Sequence, residues 1–91
     1  MQPIPPECRS YKKTPVFSED TVPAGLLRAH RTKSGTWGRI VVLEGALIYR
    51  ILEPELETHF LNSEQSGVVE PEVLHEVEPN GKVKFYVDFH R

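Results

Sequence analysis

The chain has 91 residues, of which 38% are hydrophobic and 26% are charged, so its composition is that of one folded domain with a single core. Eleven basic and 13 acidic residues give a net charge of -2, which predicts no general attraction to nucleic acid or to an anionic membrane. The single cysteine, Cys8, cannot form an internal disulfide.

The chain begins with a proline-rich arm, residues 1–10, which we expect to be extended. Its opening, MQPIPPE, has neither the basic leader nor the apolar segment of a signal peptide, and no stretch approaches the ~20 apolar residues of a membrane span. We therefore expect a cytoplasmic protein. Residues 11–91 are predicted to form one domain, with a short strand within 9–17 covering an edge.

The rest of the chain consists of short runs rich in valine, isoleucine, tyrosine and phenylalanine, separated by glycine, proline and asparagine. No segment has the apolar spacing of an amphipathic helix. The predicted strands are 25–32, 37–44, 46–53, 57–62, 67–70, 73–78 and 83–90. This pattern predicts an all-β fold, and strands of this number and length favour a jelly roll.

The first two of these strands carry candidate binding residues. His30 lies in a basic stretch, RAHRTK, which is interpreted either as a solvated strand edge or as part of an anion site that includes Arg28. Arg39 alternates with Trp37 and Val41, which are apolar, so we expect its guanidinium to point inward, where it needs an anion or a carboxylate. The candidate ligand-binding residues are Arg28, Trp37 and Arg39.

The third strand has two apolar faces. Leu47, Tyr49 and Ile51 form the predicted inward row, and Ile48 and Leu52 lie on the opposite face. An apolar outer face needs cover, either from the N-terminal arm or from a second subunit, so we expect a homodimer.

Near the end of the chain, His75 shares a face with Val73 and Val77 and is predicted to point inward. Sequence alone leaves a core histidine and a metal-binding histidine equally open. The carboxylates nearest to the candidate site are Glu70 and Asp88. In the last strand the predicted inward row is Val83, Phe85, Val87 and Phe89, which places Asp88 on the opposite row.

Two stretches, HRTKSGTWGRIVVLEGALIY and GVVEPEVLHEVEP, followed by KFYVDFHR, resemble the cupin-like domain found at the N-terminus of tellurite-resistance protein TehB and as small separate proteins. The resemblance covers residues 11–91 and implies a cupin fold, a double-stranded β-helix barrel. Gly67, Pro71 and His75 correspond to the second cupin motif, whose histidine binds metal. In the first motif only His30 matches. The methyltransferase that follows this domain in TehB proteins lies outside the resemblance.

The resemblance implies several functions that remain open. One is the binding of a divalent ion (zinc, iron, nickel or manganese) by His30 and His75, with Asp88 or Glu70 as third ligand. Another is the binding of an oxyanion by Arg39 in the barrel mouth, with a link to tellurite stress. A metal-dependent dioxygenase or isomerase and a non-catalytic dimeric interaction module are the alternatives. The expected partner is a small molecule or oxyanion, and neither nucleic acid nor a membrane is expected.

Overall fold

Six strands and one turn of helix make up the fold of residues 1–91, all of which a computed structural model describes. In chain order they are β1 (Ser10–Lys13), β2 (Phe17–Ser18), α1 (Ala24–Leu27), β3 (Trp37–Ile51), β4 (Glu57–Leu61), β5 (Gly67–Val69) and β6 (His75–His90). All strands pair antiparallel in one sheet of order β1-β6-β3-β4, with β2 also on β6 and β5 also on β3. The all-β prediction is confirmed, and the sheet follows an open path rather than closing on itself.

Two long strands, β3 and β6, organise the sheet. They pair along their whole length, from Trp37 opposite His90 to Ile51 opposite His75. The sequence predicted a break at residue 45 and a loop between 78 and 83. Neither ends a strand in the structure, because β3 continues through residue 45 and β6 continues through 78–83. Gly45, expected at a hairpin, instead lies inside β3 with φ at +75°.

An irregularity before Gly45 reverses the alternation of side chains along β3. From Val42 to Glu44 the strand advances two residues while β6 advances one, from Phe85 to Lys84. A bulge of this kind moves all later side chains to the other face. Further on, β6 advances four residues, from Val83 to Pro79, while β3 advances two, from Gly45 to Leu47. An excess of two residues leaves the alternation along β6 unchanged.

The bulge explains one wrong prediction and several confirmed ones. Before it, the buried side chains of β3 are Ile40 and Val42, so Arg39 lies on the opposite, outer face and the prediction that it points inward is wrong. After it, the buried residues are Leu47, Tyr49 and Ile51, as predicted. The predicted inward row of β6 is likewise confirmed at Val83, Phe85 and Val87.

The predicted strand at 25–32 is also wrong. The proline at position 23 occupies the cap of α1, and the chain then forms a single turn of helix, Ala24–Leu27, before becoming extended. Within 25–32 only His30 pairs with the sheet, through an isolated bridge to His75. No helix in the structure has the length and apolar composition needed to span a bilayer. The predicted edge strand within 9–17 forms as two pieces, β1 and β2.

The core is a cluster of 11 buried side chains, most of them from β3 and β6. Phe17, Leu26 and Phe89 are partly buried and pack against this cluster from the side of β2, α1 and the end of β6. Side chains of β2 and α1 therefore cover part of the inner face of the sheet. Space remains between this cover and the sheet, and the candidate site lies there.

The outer face of the sheet is partly charged and partly apolar. Arg50 forms ion pairs with Glu76 at 3.0 Å and with Glu78 at 3.1 Å. Ile48, on the same strand, lies opposite Phe60 of β4, which is 64% exposed. The homodimer expected through Ile48 and Leu52 remains a prediction.

Tyr49 links β3 to the short strand β5. Its ring is buried, and its hydroxyl donates a hydrogen bond to the backbone carbonyl of Val68 at 2.9 Å. Burial raises the pKa of this hydroxyl. We expect Tyr49→Phe to lower the free energy of unfolding by about 1 kcal/mol, because the Val68 carbonyl loses its only side-chain donor.

Urea unfolding of the two proteins measures this difference. Tyr86→Phe is the control, since the Tyr86 hydroxyl makes no hydrogen bond and the change is expected to stay within about 0.5 kcal/mol. Equal effects of the two substitutions would contradict the role assigned to the Tyr49 hydroxyl.

Candidate functional site

A cavity of about 610 Å³ lies between the inner face of the sheet and the covering segment of residues 11–36. Nine of the 19 residues that line it are hydrophobic. The deepest side chains come from the sheet and are buried: Ile40, Val69, Val77, Phe85 and Val87. The walls include Phe17 of β2 and Leu26 of α1. A cavity of this size and lining is typical of small-molecule sites.

His30 and His75 both line this cavity. Two backbone hydrogen bonds of 2.9 Å join them, one from each amide to the other's carbonyl. Residues opposite each other on antiparallel segments project their side chains to the same face, which is why these two histidines meet although 44 residues separate them in the chain. Their ring centroids are 4.1 Å apart, with the rings inclined at 57°.

Each imidazole is held by a backbone carbonyl near it in sequence. Nδ1 of His30 is 2.8 Å from the carbonyl of Arg28, and Nδ1 of His75 is 2.9 Å from the carbonyl of Val73. Because a carbonyl only accepts, Nδ1 carries the proton in both rings. Neither Nε2 atom has a partner within the protein, so both remain available to a bound molecule.

Burial decides the charge of His75. Its side chain is 4% exposed, and the loss of solvation lowers its pKa to about 4. The bond to Val73 acts in the opposite direction and the neighbouring His30 in the same direction, both with smaller effect. The edge of the Tyr49 ring, with its centroid 5.9 Å away, adds an apolar neighbour. At neutral pH, His75 is therefore uncharged, and its Nε2 is a hydrogen-bond acceptor.

The other predicted site residues lie outside the cavity. Trp37 and Arg39 are on the outer face of β3, where Arg39 Nη1 donates to Ser66 Oγ at 3.3 Å. Arg28 is exposed and contributes its backbone carbonyl rather than its guanidinium. Asp88 also faces outward, where its Oδ1 atom accepts a hydrogen bond from the Ser10 hydroxyl. The structure therefore brings together two of the six predicted residues, His30 and His75.

The two histidines have no third potential metal ligand beside them. No group of three or more His, Cys, Asp or Glu side chains is positioned to hold a metal ion. Asp88 is directed away, with its Oδ2 atom 3.3 Å from Nε2 of His90. Two imidazoles fall short of the three protein ligands usual at catalytic zinc.

Sequence reasoning missed the side chains at the opening of the cavity. Lys12, Arg31 and Lys33 line it and are exposed, so they lie at its rim. Arg31 and Lys33 belong to the basic stretch noted in the sequence, which was a signal for them. Lys12 had no such signal, because its place depends on the pairing of β1 with the far end of β6.

The family model of the TehB-like domain matches residues 12–87 of this chain. Two relatives from Haemophilus influenzae, both named as probable S-adenosyl-L-methionine-dependent methyltransferase TehB, are similar over 72 residues. The relative from strain ATCC 51907 is 38% identical and that from strain 10810 is 35% identical. Each match covers 75% of this chain and 25% of the relative, so the chain spans about a quarter of their length.

Three solved structures are similar in fold to this chain. TehB from Haemophilus influenzae superimposes with a TM-score of 0.86 and 31% identity, over 93% of this chain and 32% of that one. A protein from Escherichia coli K12 superimposes with a TM-score of 0.90 and 27% identity, over 100% and 97% of the two chains. The iron(II) form of HppE is similar in fold alone, with a TM-score of 0.62 and 18% identity over 81% of this chain and 40% of that one.

Proposed function

This chain belongs to the TehB-like domain family, and we propose that it is a binding domain for a small organic molecule, which lies in the cavity against the rings of His30 and His75. The observation that carries the proposal is the apolar cavity of about 610 Å³ with two imidazoles on its lining. Apolar pockets with few polar groups bind ligands through their apolar area and orient them through those groups.

The histidine pair supplies the orienting groups. His75 is uncharged at neutral pH, and its Nδ1 is already bound to the Val73 carbonyl. A hydroxyl of the ligand therefore donates to Nε2 of His75, while the ring of His30, 4.1 Å away between centroids, packs beside it. The two backbone hydrogen bonds between the residues keep both rings in place before the ligand arrives.

This proposal differs from metal binding and from catalysis by a metal-dependent cupin. Those functions need a third protein ligand, and the carboxylate predicted for that role, Asp88, lies on the outer face. The donor set on the cavity lining does not fit a three-ligand site.

The proposal also covers the type of all-β fold and the role of the domain beside a larger enzyme. We infer that the open sheet is a small form of the cupin-like jelly roll, which the fold likeness to HppE supports. The matched relatives are named as methyltransferases, and this chain corresponds to a quarter of their length. We propose that a domain of this kind holds a small molecule beside such an enzyme. The link to tellurite remains a prediction.

Filling the cavity tests the proposal. Leu26 and Leu27 are neighbours in α1, but Leu26 lines the cavity whereas Leu27 is 41% exposed and does not. With 2-naphthol, a flat apolar molecule with one hydroxyl, we expect Leu26→Trp to weaken binding at least about tenfold, because the indole occupies the space that the ligand needs. Isothermal titration calorimetry measures the dissociation constants.

Leu27→Trp is the matched control and is expected to leave the dissociation constant within about twofold of the original protein. The proposal fails if 2-naphthol does not bind, or if both tryptophan variants bind it equally well.

A further inference from the structure

The lining of the cavity changes in character from its floor to its rim. The floor is uncharged, since it consists of apolar side chains of the sheet together with neutral His75. The rim consists of exposed residues, and three of them, Lys12, Arg31 and Lys33, are cationic. A molecule that fills the cavity therefore meets an apolar environment at one end and positive charge at the other.

The positive charge of the rim is a local property. The chain as a whole has 13 acidic and 11 basic residues, yet no Asp or Glu is among the 19 residues that line the cavity. The absence of carboxylates means that the rim cations have no counter-ion on the lining itself. An acidic protein with an opening of this kind favours anions at that opening over the rest of its surface.

The three rim cations differ in what they already bind. Arg31 forms two hydrogen bonds of 3.1 Å to the carboxylate of Glu53, which lies outside the cavity, so its charge is compensated. Lys12 and Lys33 take part in no ion pair. Two free ammonium groups are thus available to a ligand at the rim.

From this arrangement we propose that the ligand is an amphipathic organic anion, with a flat apolar ring system against the floor and a carboxylate or similar anionic group between Lys12 and Lys33. This inference rests on the proposed function and adds the class of ligand. The aromatic side chains on the lining favour a ring: Phe17 and Phe85 meet edge to face with centroids 5.7 Å apart, and Phe89 and Tyr11 line the same cavity.

The anionic group lies at the rim because desolvation makes its burial on the cavity floor unfavourable. A carboxylate moved into apolar surroundings loses its hydration, and the floor offers no cation to compensate. At the rim it keeps contact with water and gains two ammonium partners. A bare inorganic oxyanion has no apolar body to fill the cavity, so the same geometry favours an organic anion over phosphate or tellurite.

Two matched probes test this inference. 6-Hydroxy-2-naphthoate has the ring and hydroxyl of 2-naphthol and carries a carboxylate at the opposite end. At low ionic strength we expect it to bind at least about tenfold more tightly than 2-naphthol, and we expect added salt to reduce that advantage. Isothermal titration calorimetry gives both dissociation constants.

Replacing the rim lysines identifies the source of the advantage. In Lys12→Gln/Lys33→Gln the naphthoate advantage, taken as the ratio of the two dissociation constants measured in the same variant, is expected to fall to about twofold or less. The control, Lys13→Gln/Lys82→Gln, makes the same change in net charge with residues that do not line the cavity, and it is expected to keep the advantage.

The outcomes separate the two proposals. If 2-naphthol binds but the carboxylate adds nothing, or if both double variants behave alike, the ligand class is wrong and the binding function stands. If neither naphthalene binds, both proposals are wrong. Binding of inorganic phosphate or tellurite as tight as that of the naphthoate would also overturn the inference, because it would indicate a site for bare anions.

Discussion

The Gly45→Ala substitution is expected to lower the free energy of unfolding by about 3 kcal/mol or more. Gly45 has φ at +75°, which costs an alanine roughly 1 to 2 kcal/mol. In addition, a Cβ atom at this position would lie 1.9 Å from the backbone carbonyl oxygen of Lys82 and 3.1 Å from Cα of Val83. Since these are backbone atoms of the paired strand, relief of the overlap requires β3 and β6 to separate at the bulge.

Gly81 provides a matched control. Its φ is +76°, nearly the same as that of Gly45, but a Cβ atom there would have no neighbour within 4 Å. Gly81→Ala therefore isolates the backbone strain, and we expect it to cost about 1 kcal/mol. Urea unfolding of both variants measures the difference. If the two substitutions cost the same, the close approach of Lys82 to Gly45 has no energetic importance.

The second large effect is a dependence of stability on pH that comes from His75. Burial lowers the pKa of this histidine from 6.5 to about 4 in the native protein. Above pH 6.5 the ring is neutral in both the native and the unfolded chain. Between pH 6.5 and 4 the unfolded chain binds a proton that the native protein does not, so the free energy of unfolding falls as the pH falls. Below pH 4 both states are protonated and the loss levels off.

The size of this loss follows from the shift. At 1.36 kcal/mol for each pKa unit, we expect His75 to account for about 3 kcal/mol of lost stability between pH 6.5 and 4. The measurement is urea unfolding at a series of pH values for the original protein and for His75→Phe, whose stability is expected to change much less over this range. An NMR titration of the His75 ring gives the native pKa directly.

His59→Phe is the control, because His59 lies on β4 near Glu57 and away from the cavity. This variant is expected to keep the steep loss of stability below pH 6.5. A native His75 that titrates near pH 6.5, or an unchanged pH profile in His75→Phe, would contradict the assignment.

The alternation of side chains made the second half of the fold predictable from sequence. Val83, Phe85 and Val87 face the core as expected, because β6 keeps an unbroken alternation through the whole strand. His75 was placed inward by the same reasoning, and the structure buries it. Where a strand keeps its own alternation of side chains, local pattern is enough to assign the faces.

The prediction for Arg39 was wrong because local pattern does not reveal a bulge. A glycine with positive φ is needed both at a hairpin and at a bulge, so Gly45 was compatible with either. The hairpin interpretation divided β3 in two and left the first half with two apolar faces to choose from. The register with β6, which decides the choice, depends on residues far away in the chain.

His30 shows a different limit. Its neighbours in sequence gave no inward direction, and the strand expected around it is a turn of helix followed by extended chain. The bridge to His75 places it in the cavity. The basic stretch around His30 left a solvated edge and an anion site open, and only the family resemblance paired His30 with His75 before the structure did. No local signal identified Lys12, which lines the same cavity.

The two sides of the cavity are built differently, and this affects how the family can diverge. The floor belongs to β3 and β6, whose side chains also form the core, so substitutions there change stability and ligand preference together. The opposite wall comes from residues 23–36, which meet the sheet through the isolated bridge at His30 and through the packing of Leu26 against the core. Mutations in that wall can alter which molecule is accepted while the scaffold stays intact, so relatives with the same fold can acquire different ligands.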